Sequence, residues 1–291
     1  MKDAPFRTPA HMAPRFGRLV DRTQPLRFQF EERRFSGFVG DTLASALMAA
    51  GQRIYSRSPR FHRPRGIFGL GHGEEAGPID IATPTDRAAG LAPTEVELVP
   101  GLRAWTRRGW PSARIDIGAL ADLGPVYGPS QLLGLIARRS GLLAGRPAEP
   151  PRGAIPTSTH TVDLLVVGAG LAGLAAAESA AAEGLSLVLA EAAPTPGGLA
   201  DLYDGRLEGK QLHEAAADQL AALAGNSAAT ILMRTRAVLI EPDLETLLVE
   251  RDRAGAAERL HIVRPRAIIL ATGARERRLV FANNDRPGVT P

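Results

Sequence analysis

Residues 162–191, VDLLVVGAGLAGLAAAESAAAEGLSLVLAE, leave this chain few ways to fold. An uninterrupted apolar run at 164–167 leads straight into Gly168-Ala169-Gly170-Leu171-Ala172-Gly173. An alanine-rich segment follows, in the residue type of highest helix propensity. A second apolar run at 185–190 then closes on Glu191. Strands without polar alternation are covered on both faces, as in a parallel sheet, and parallel neighbours need a crossover helix between them. The stretch therefore predicts a βαβ unit and an α/β fold of Rossmann type.

Each glycine has its own task in such a unit. Gly168 permits the tight turn off the strand, Gly170 lets the backbone approach a pyrophosphate, and Gly173 lets the helix lie close to the sheet. The helix start offers unpaired N–H groups and a positive dipole end to phosphate. Glu191 stands about twenty residues on, where a ribose-binding acid is expected, and its charge would repel a 2′-phosphate. NAD or FAD is thus preferred over NADP. Two later motifs supply small residues where a side chain would obstruct a nucleotide: Gly197-Gly198, and Ala271-Thr272-Gly273 at the end of an apolar run at 267–270. The candidate cofactor-binding set is Gly168, Ala169, Gly170, Leu171, Ala172, Gly173, Glu191, Gly197, Gly198, Ala271, Thr272 and Gly273.

Between these motifs the pattern predicts a helix over 211–224 and strand-like runs at 231–240 and 246–250. A turn at 252–255 leads to a further run at 259–263. The order of glycine motif, acid, Gly-Gly, β-excursion and Ala-Thr-Gly resembles the two-dinucleotide-domain flavoproteins related to pyridine nucleotide-disulfide reductases.

The first hundred residues read as a separate α+β module. The run at 26–30 (LRFQF) alternates like a half-buried strand, and 34–39 (RFSGFV) can pair with it across a short acidic turn. In GDTLASALMAAG, Asp41 or Thr42 can cap a helix with Leu43, Leu47 and Met48 on one face, and Gly51 is placed to end it. Strand candidates follow around 52–55, 79–82 and 94–99. A segment at 132–144 suits a connecting helix, and the proline-rich stretch 146–159 (RPAEPPRGAIPTST) reads as a linker. The expected domains are 1–117, a connector over 118–160, and 161–291.

Composition removes several function classes. Apolar residues make up 44% of the 291, as in a globular chain. No segment has the roughly 18 uninterrupted apolar residues of a membrane span. The N-terminus lacks the apolar core of a secretory signal, which makes cytoplasmic the expected location. Net charge is +4, but Lys2 and Lys210 are the only lysines, and the arginines alternate with acids without a recognisable nucleic-acid motif. No nucleic-acid partner is expected. With no cysteine, thiolate-ligated metals, iron–sulfur clusters and redox dithiols are excluded.

A hairpin followed by a GDTL-containing helix resembles the plant-type 2Fe–2S ferredoxin (β-grasp) fold, with the loop at 56–67, SRSPRFHRPRGI, standing where cluster cysteines would lie. This loop reads either as a cationic collar for phosphate or an acidic partner, built from Arg60, His62, Arg63 and Arg65, or as a solvated loop stiffened by Pro59 and Pro64. His62 has no neighbouring ligand set for a metal, and none is expected. Trp105 and Trp110 read as core or interface anchors.

Together, GDTLASAL, FHRPRGI, VVGAGLAGLAAA and ATGARERRLVFANNDRPGV resemble the N-terminal part of heterotetrameric sarcosine oxidase α subunits, from about residue 17 to 291. That resemblance implies an oxidoreductase that converts sarcosine to glycine and reduces oxygen to hydrogen peroxide. It implies NAD in the dinucleotide fold, and a flavin-bearing β subunit and smaller subunits as partners. The small-molecule amine substrate would be oxidised on another chain, and no catalytic residue can be placed in this one. Relatives of this kind continue through a second half of the nucleotide fold, so the chain is expected to be a fragment or a split subunit. The alternatives are an FAD-dependent NAD(P)H reductase, a related amine or opine oxidase or cyanide synthase-like complex, and a non-catalytic cofactor-binding scaffold.

Overall fold

The computed structural model describes residues 4–12, 17–58, 61–67, 69, 77–109, 111–117, 154–201, 203–274, 281–284 and 286–287. The connecting helix expected at 132–144, most of the proline-rich linker, Pro59, Arg60 and Trp110 lie outside them. The chain divides into two compact units. The first comprises Met1–Arg152, Arg253–Ala256 and Glu276–Pro291, and the second Gly153–Asp252 and Ala257–Arg275.

In the first unit, β1 (Asp21–Phe30) and β2 (Arg33–Val39) form the predicted antiparallel hairpin, turning through Glu31 at φ 54°. Helix α1 (Leu43–Ala49) follows. Thr42 is its cap, accepting from the Ser45 N–H, while the Ser45 hydroxyl accepts from the Thr42 N–H. At the other end the Gln52 and Gly51 N–H groups bond back to the Leu47 and Met48 carbonyls, with Gly51 at φ +78°, so the helix stops where the glycine permits a left-handed residue.

The short strands β3 (Ser56–Arg57) and β4 (Pro64–Arg65) pair with each other. β5 (Ile79–Ala82), β6 (Arg87–Leu91) and β7 (Arg103–Thr106) complete a mixed sheet of order β2-β1-β7-β5-β6, in which β1 and β7 are parallel. The expected strand at 94–99 is instead a turn and an extended segment with a single bridge, Thr42 to Glu97. Leu43, Leu47, Phe28, Phe30, Ile79 and Leu102 are buried in the core between helix and sheet. Ala254 joins that core, and the Arg253 carbonyl accepts from the Glu97 N–H at 2.9 Å, so the turn at 253–256 is built into this unit.

The second unit is a six-stranded sheet of order β12-β9-β8-β15-β14-β13. β8 (Thr157–Val167) starts inside the proline-rich stretch and runs to the glycine motif. Helix α2 (Leu171–Ala182) follows, ending in Gly184 at φ +75° with the Leu185 N–H on the Ala180 carbonyl. β9 (Leu187–Ala190) then pairs parallel to β8. A small hairpin, β10 (Arg206–Leu207) and β11 (Lys210–Gln211), precedes α3 (Leu212–Ala224).

The single run expected at 231–240 is two strands, β12 (Ala229–Leu232) beside β9 and β13 (Thr235–Ile240) at the far edge. Arg234 at φ 52° makes the break between them. β14 (Thr246–Arg251) pairs with β15 (Ala257–Leu270), a single strand where two were expected. Pro265 is tolerated because β14 pairs with β15 only as far as Val263, so nothing on that side needs the missing N–H. Among the described residues no helix is long and apolar enough to cross a membrane, and no cluster of three or more His, Asp or Glu could hold a metal.

Candidate nucleotide site

The parallel strands β8, β9 and β15 bring the predicted residues to one end of the second unit's sheet. Val167 pairs with Ala190 and with Leu270, so the Gly168, Glu191 and Ala271 positions follow adjacent strand ends. The Gly168 N–H bonds to the Ala190 carbonyl and the Ala271 N–H to the Val167 carbonyl, each at 2.8 Å.

The three glycines have different surroundings. Gly168 sits at φ +105°, and a Cβ there would lie 2.3 Å from the Ala271 carbonyl oxygen. A Cβ at Gly173 would lie 1.9 Å from the Gly168 carbonyl oxygen and 3.1 Å from the Ala271 Cβ. Both positions are closed by the protein itself. Gly170, the N-cap of α2, is the reverse: it has ordinary extended angles, φ −69° and ψ 174°, and an added Cβ would meet nothing within 4 Å. Open space beside a glycine at a helix N-terminus is the shape a phosphate needs.

Gly197 and Gly198 fold back onto this loop. Gly197 bridges Gly170, and its N–H donates to the Ala169 carbonyl at 2.8 Å. Gly198 is exposed, with the Gly170 Cα as the nearest contact for an added Cβ, at 3.6 Å. Thr272 and Gly273 are exposed beyond β15, whereas Ala271 is half-buried against Gly168 and Gly173. Leu171 is half-buried and Ala172 exposed on the first turn of α2.

Glu191 is 8% exposed. Its Oε2 accepts from the Ala169 N–H at 2.6 Å and its Oε1 from the Ala193 N–H at 2.7 Å. Ala193, absent from the sequence-derived set, is thereby joined to the candidate site. Its contribution is a main-chain N–H, which no side-chain pattern advertises.

The loop that stands in the place of cluster cysteines is braced through its own unit. The Arg57 guanidinium donates to the carbonyls of Ala113 (2.6 Å), Arg114 (2.7 Å) and His62 (3.1 Å). His62 Nδ1 stands 2.7 Å from Asp116 Oδ2. Gly66 approaches Pro287 so closely that an added Cβ would lie 3.0 Å from its Cα. Trp105 is half-buried beneath the Arg103 guanidinium, 5.2 Å from its ring centroid.

Residues 23–109 match the 2Fe-2S iron-sulfur cluster binding domain family, and residues 162–290 the pyridine nucleotide-disulphide oxidoreductase family. The chain is 36% identical to sarcosine oxidase subunit alpha of Rhizobium meliloti (strain 1021) over 93% of its own length, and 32% identical to that of Corynebacterium sp. (strain P-1) over 98%. It is similar to sarcosine oxidase α subunits over nearly its whole length.

It spans 30% and 27% of the length of those two relatives. In fold it is similar to L-proline dehydrogenase from P. horikoshii, with a TM-score of 0.61 at 21% identity over 92% of this chain and 44% of that one. The architecture is accordingly α/β, a dinucleotide-binding fold with a ferredoxin-like module. That module cannot hold a cysteine-ligated cluster, because the chain contains no cysteine.

Proposed function

We propose that this chain is the NAD-binding, N-terminal portion of a sarcosine oxidase-like α subunit. It would act in a complex that oxidatively demethylates sarcosine to glycine and reduces oxygen to hydrogen peroxide. The observation that carries the reading is the open volume at Gly170 beside the buried carboxylate of Glu191, in a chain related almost end to end to α subunits of that name. Gly168 and Gly173 would set the loop's shape, Gly170 would admit the pyrophosphate, and the first turn of α2 would face it with N–H groups. Glu191 would accept from the ribose hydroxyls, since each carboxylate oxygen can take a second hydrogen bond. Gly197, Gly198, Ala271, Thr272 and Gly273 would form the walls. NAD supplies a hydride acceptor when bound.

The amine site is assigned to a flavin-bearing partner subunit, as the similarity to sarcosine oxidase α subunits implies. The test is reconstitution of the complex with and without this chain, reading sarcosine-dependent peroxide. Loss of peroxide on omission supports an enzymatic subunit. Undiminished peroxide contradicts it.

A further inference from the structure

Glu191 joins loops from three strand ends, two through its carboxylate and the third through its main chain and Ala193. Its Oε2 holds the Ala169 N–H at 2.6 Å, and the Ala169 carbonyl accepts from Gly197 at 2.8 Å, so both sides of that residue in the glycine loop are fixed. Its Oε1 holds Ala193 at 2.7 Å, and the Ala193 carbonyl accepts from the Arg234 N–H at 3.1 Å. The Glu191 main chain completes the junction, donating to the Leu232 carbonyl at 2.8 Å and accepting from the Thr235 N–H at 2.7 Å. Ala169 is fully buried. Its N–H is thus committed to a carboxylate.

We infer that Glu191 is a positioning residue for the glycine loop, and that its contribution to dinucleotide binding is largely independent of the ribose hydroxyl it faces. This rests on the dinucleotide reading of the site. The physical reason is charge. Two N–H groups converge on one buried anion, and such bonds are stronger than neutral ones. An amide of the same shape can accept from only one of them and presents NH2 to the other. In Glu191→Gln, one edge of the junction therefore loses its acceptor, and either the glycine loop or the 191–197 loop is released. Ala169 would in turn serve the site by holding the loop, leaving phosphate contact to the first turn of α2.

The experiment uses the full 291-residue chain and two probes, NAD and the NAD analogue lacking the adenosine 2′-hydroxyl. Positioning predicts that Glu191→Gln weakens both by a similar factor, on the order of tenfold to a hundredfold, as for the loss of a hydrogen bond to a charged group. A loss seen with NAD and absent with the deoxy analogue overturns the inference and leaves Glu191 as a ribose ligand alone.

A second measurement needs neither variant nor ligand. In the nucleotide-free wild-type chain the Ala169 amide should be strongly protected from exchange, with a downfield proton resonance set by its charged acceptor. Rapid exchange overturns the inference. If wild type binds neither probe, the dinucleotide reading fails, and the Ala169 amide still decides whether Glu191 anchors the loop.

Discussion

Gly173→Ala and Gly170→Ala add the same methyl group three residues apart and should have opposite consequences. At Gly173 the new Cβ lies 1.9 Å from the Gly168 carbonyl oxygen, a main-chain atom that cannot rotate away. Restoring an ordinary contact requires the start of α2 and the end of β8 to part by about 1.5 Å, which opens the packing of α2 on the sheet. A strain of this kind costs about 3 kcal/mol. For a unit of this size that is about 10 °C in melting temperature. At Gly170 the methyl meets no atom within 4 Å and the backbone angles suit any residue. The folded state then loses about 1 kcal/mol or less, the difference between glycine and alanine at an N-cap.

Nucleotide affinity should follow the other order. The Gly170 methyl occupies the volume assigned to pyrophosphate and should weaken binding about tenfold to a hundredfold. Gly170→Val should abolish retention while leaving the N-terminal module folded. Thermal or urea unfolding followed by far-ultraviolet circular dichroism, beside calorimetric titration with NAD, reads both quantities. Equal destabilisation by the two alanines, or undiminished nucleotide in Gly170→Val, would refute the division between glycines that shape the fold and the glycine that admits a ligand.

In the first unit, Asp41 is 1% exposed and accepts from both Arg7 NH groups, the Phe38 N–H and the Ser45 hydroxyl. Asp41→Ala should cost about 3 kcal/mol, because it leaves the half-buried Arg7 guanidinium uncompensated; urea denaturation measures it. In the second unit, His160 Nε2 stands 3.0 Å from His261 Nδ1, and His261 Nε2 stands 3.0 Å from Glu250 Oε2. Desolvation, and then the charge of His261, hold the His160 pKa below its usual value. In the window below about pH 6.5 the unfolded chain consequently binds the extra proton more readily than the folded one, and stability falls as pH is lowered through it. His160→Gln should flatten that part of the stability–pH curve, and an unchanged slope would show that the loss arises elsewhere. Finally, Arg57→Ala should loosen the loop at 56–67 by removing three main-chain contacts, visible as faster amide exchange there while the α1 amides stay protected.

Legibility in the sequence followed the range of the forces involved. The βαβ core, the α1 cap and the glycine stop of α1 at Gly51 depend on neighbouring residues, and the corresponding motifs could be read directly. The division at Arg234 was hidden because β12 and β13 are both apolar, and only a positive φ at one non-glycine residue separates them. The union of two runs into β15 was hidden by Pro265, which signals a break unless one knows that β14 has already ended. Among the candidate site residues, the glycines and Glu191 could be named from the sequence because the chemistry proposed for them is fixed by residue type. Ala193 was not, because it contributes a backbone N–H whose direction is set by the loop. The grouping of His160 with His261 and Glu250 was likewise invisible, since it depends on the register of three strands.

On the proposed reading, the loop from Gly168 to Gly173 holds an adenine dinucleotide, and that dinucleotide is NAD. Mass spectrometry of the small molecules released on denaturing the purified chain, read beside its visible spectrum, tests it most directly. NAD should be released from a colourless protein and be lost in Gly170→Val. Released FAD with a yellow spectrum would contradict the assignment of NAD, and a wild-type chain that neither releases nor takes up any dinucleotide would contradict the site itself.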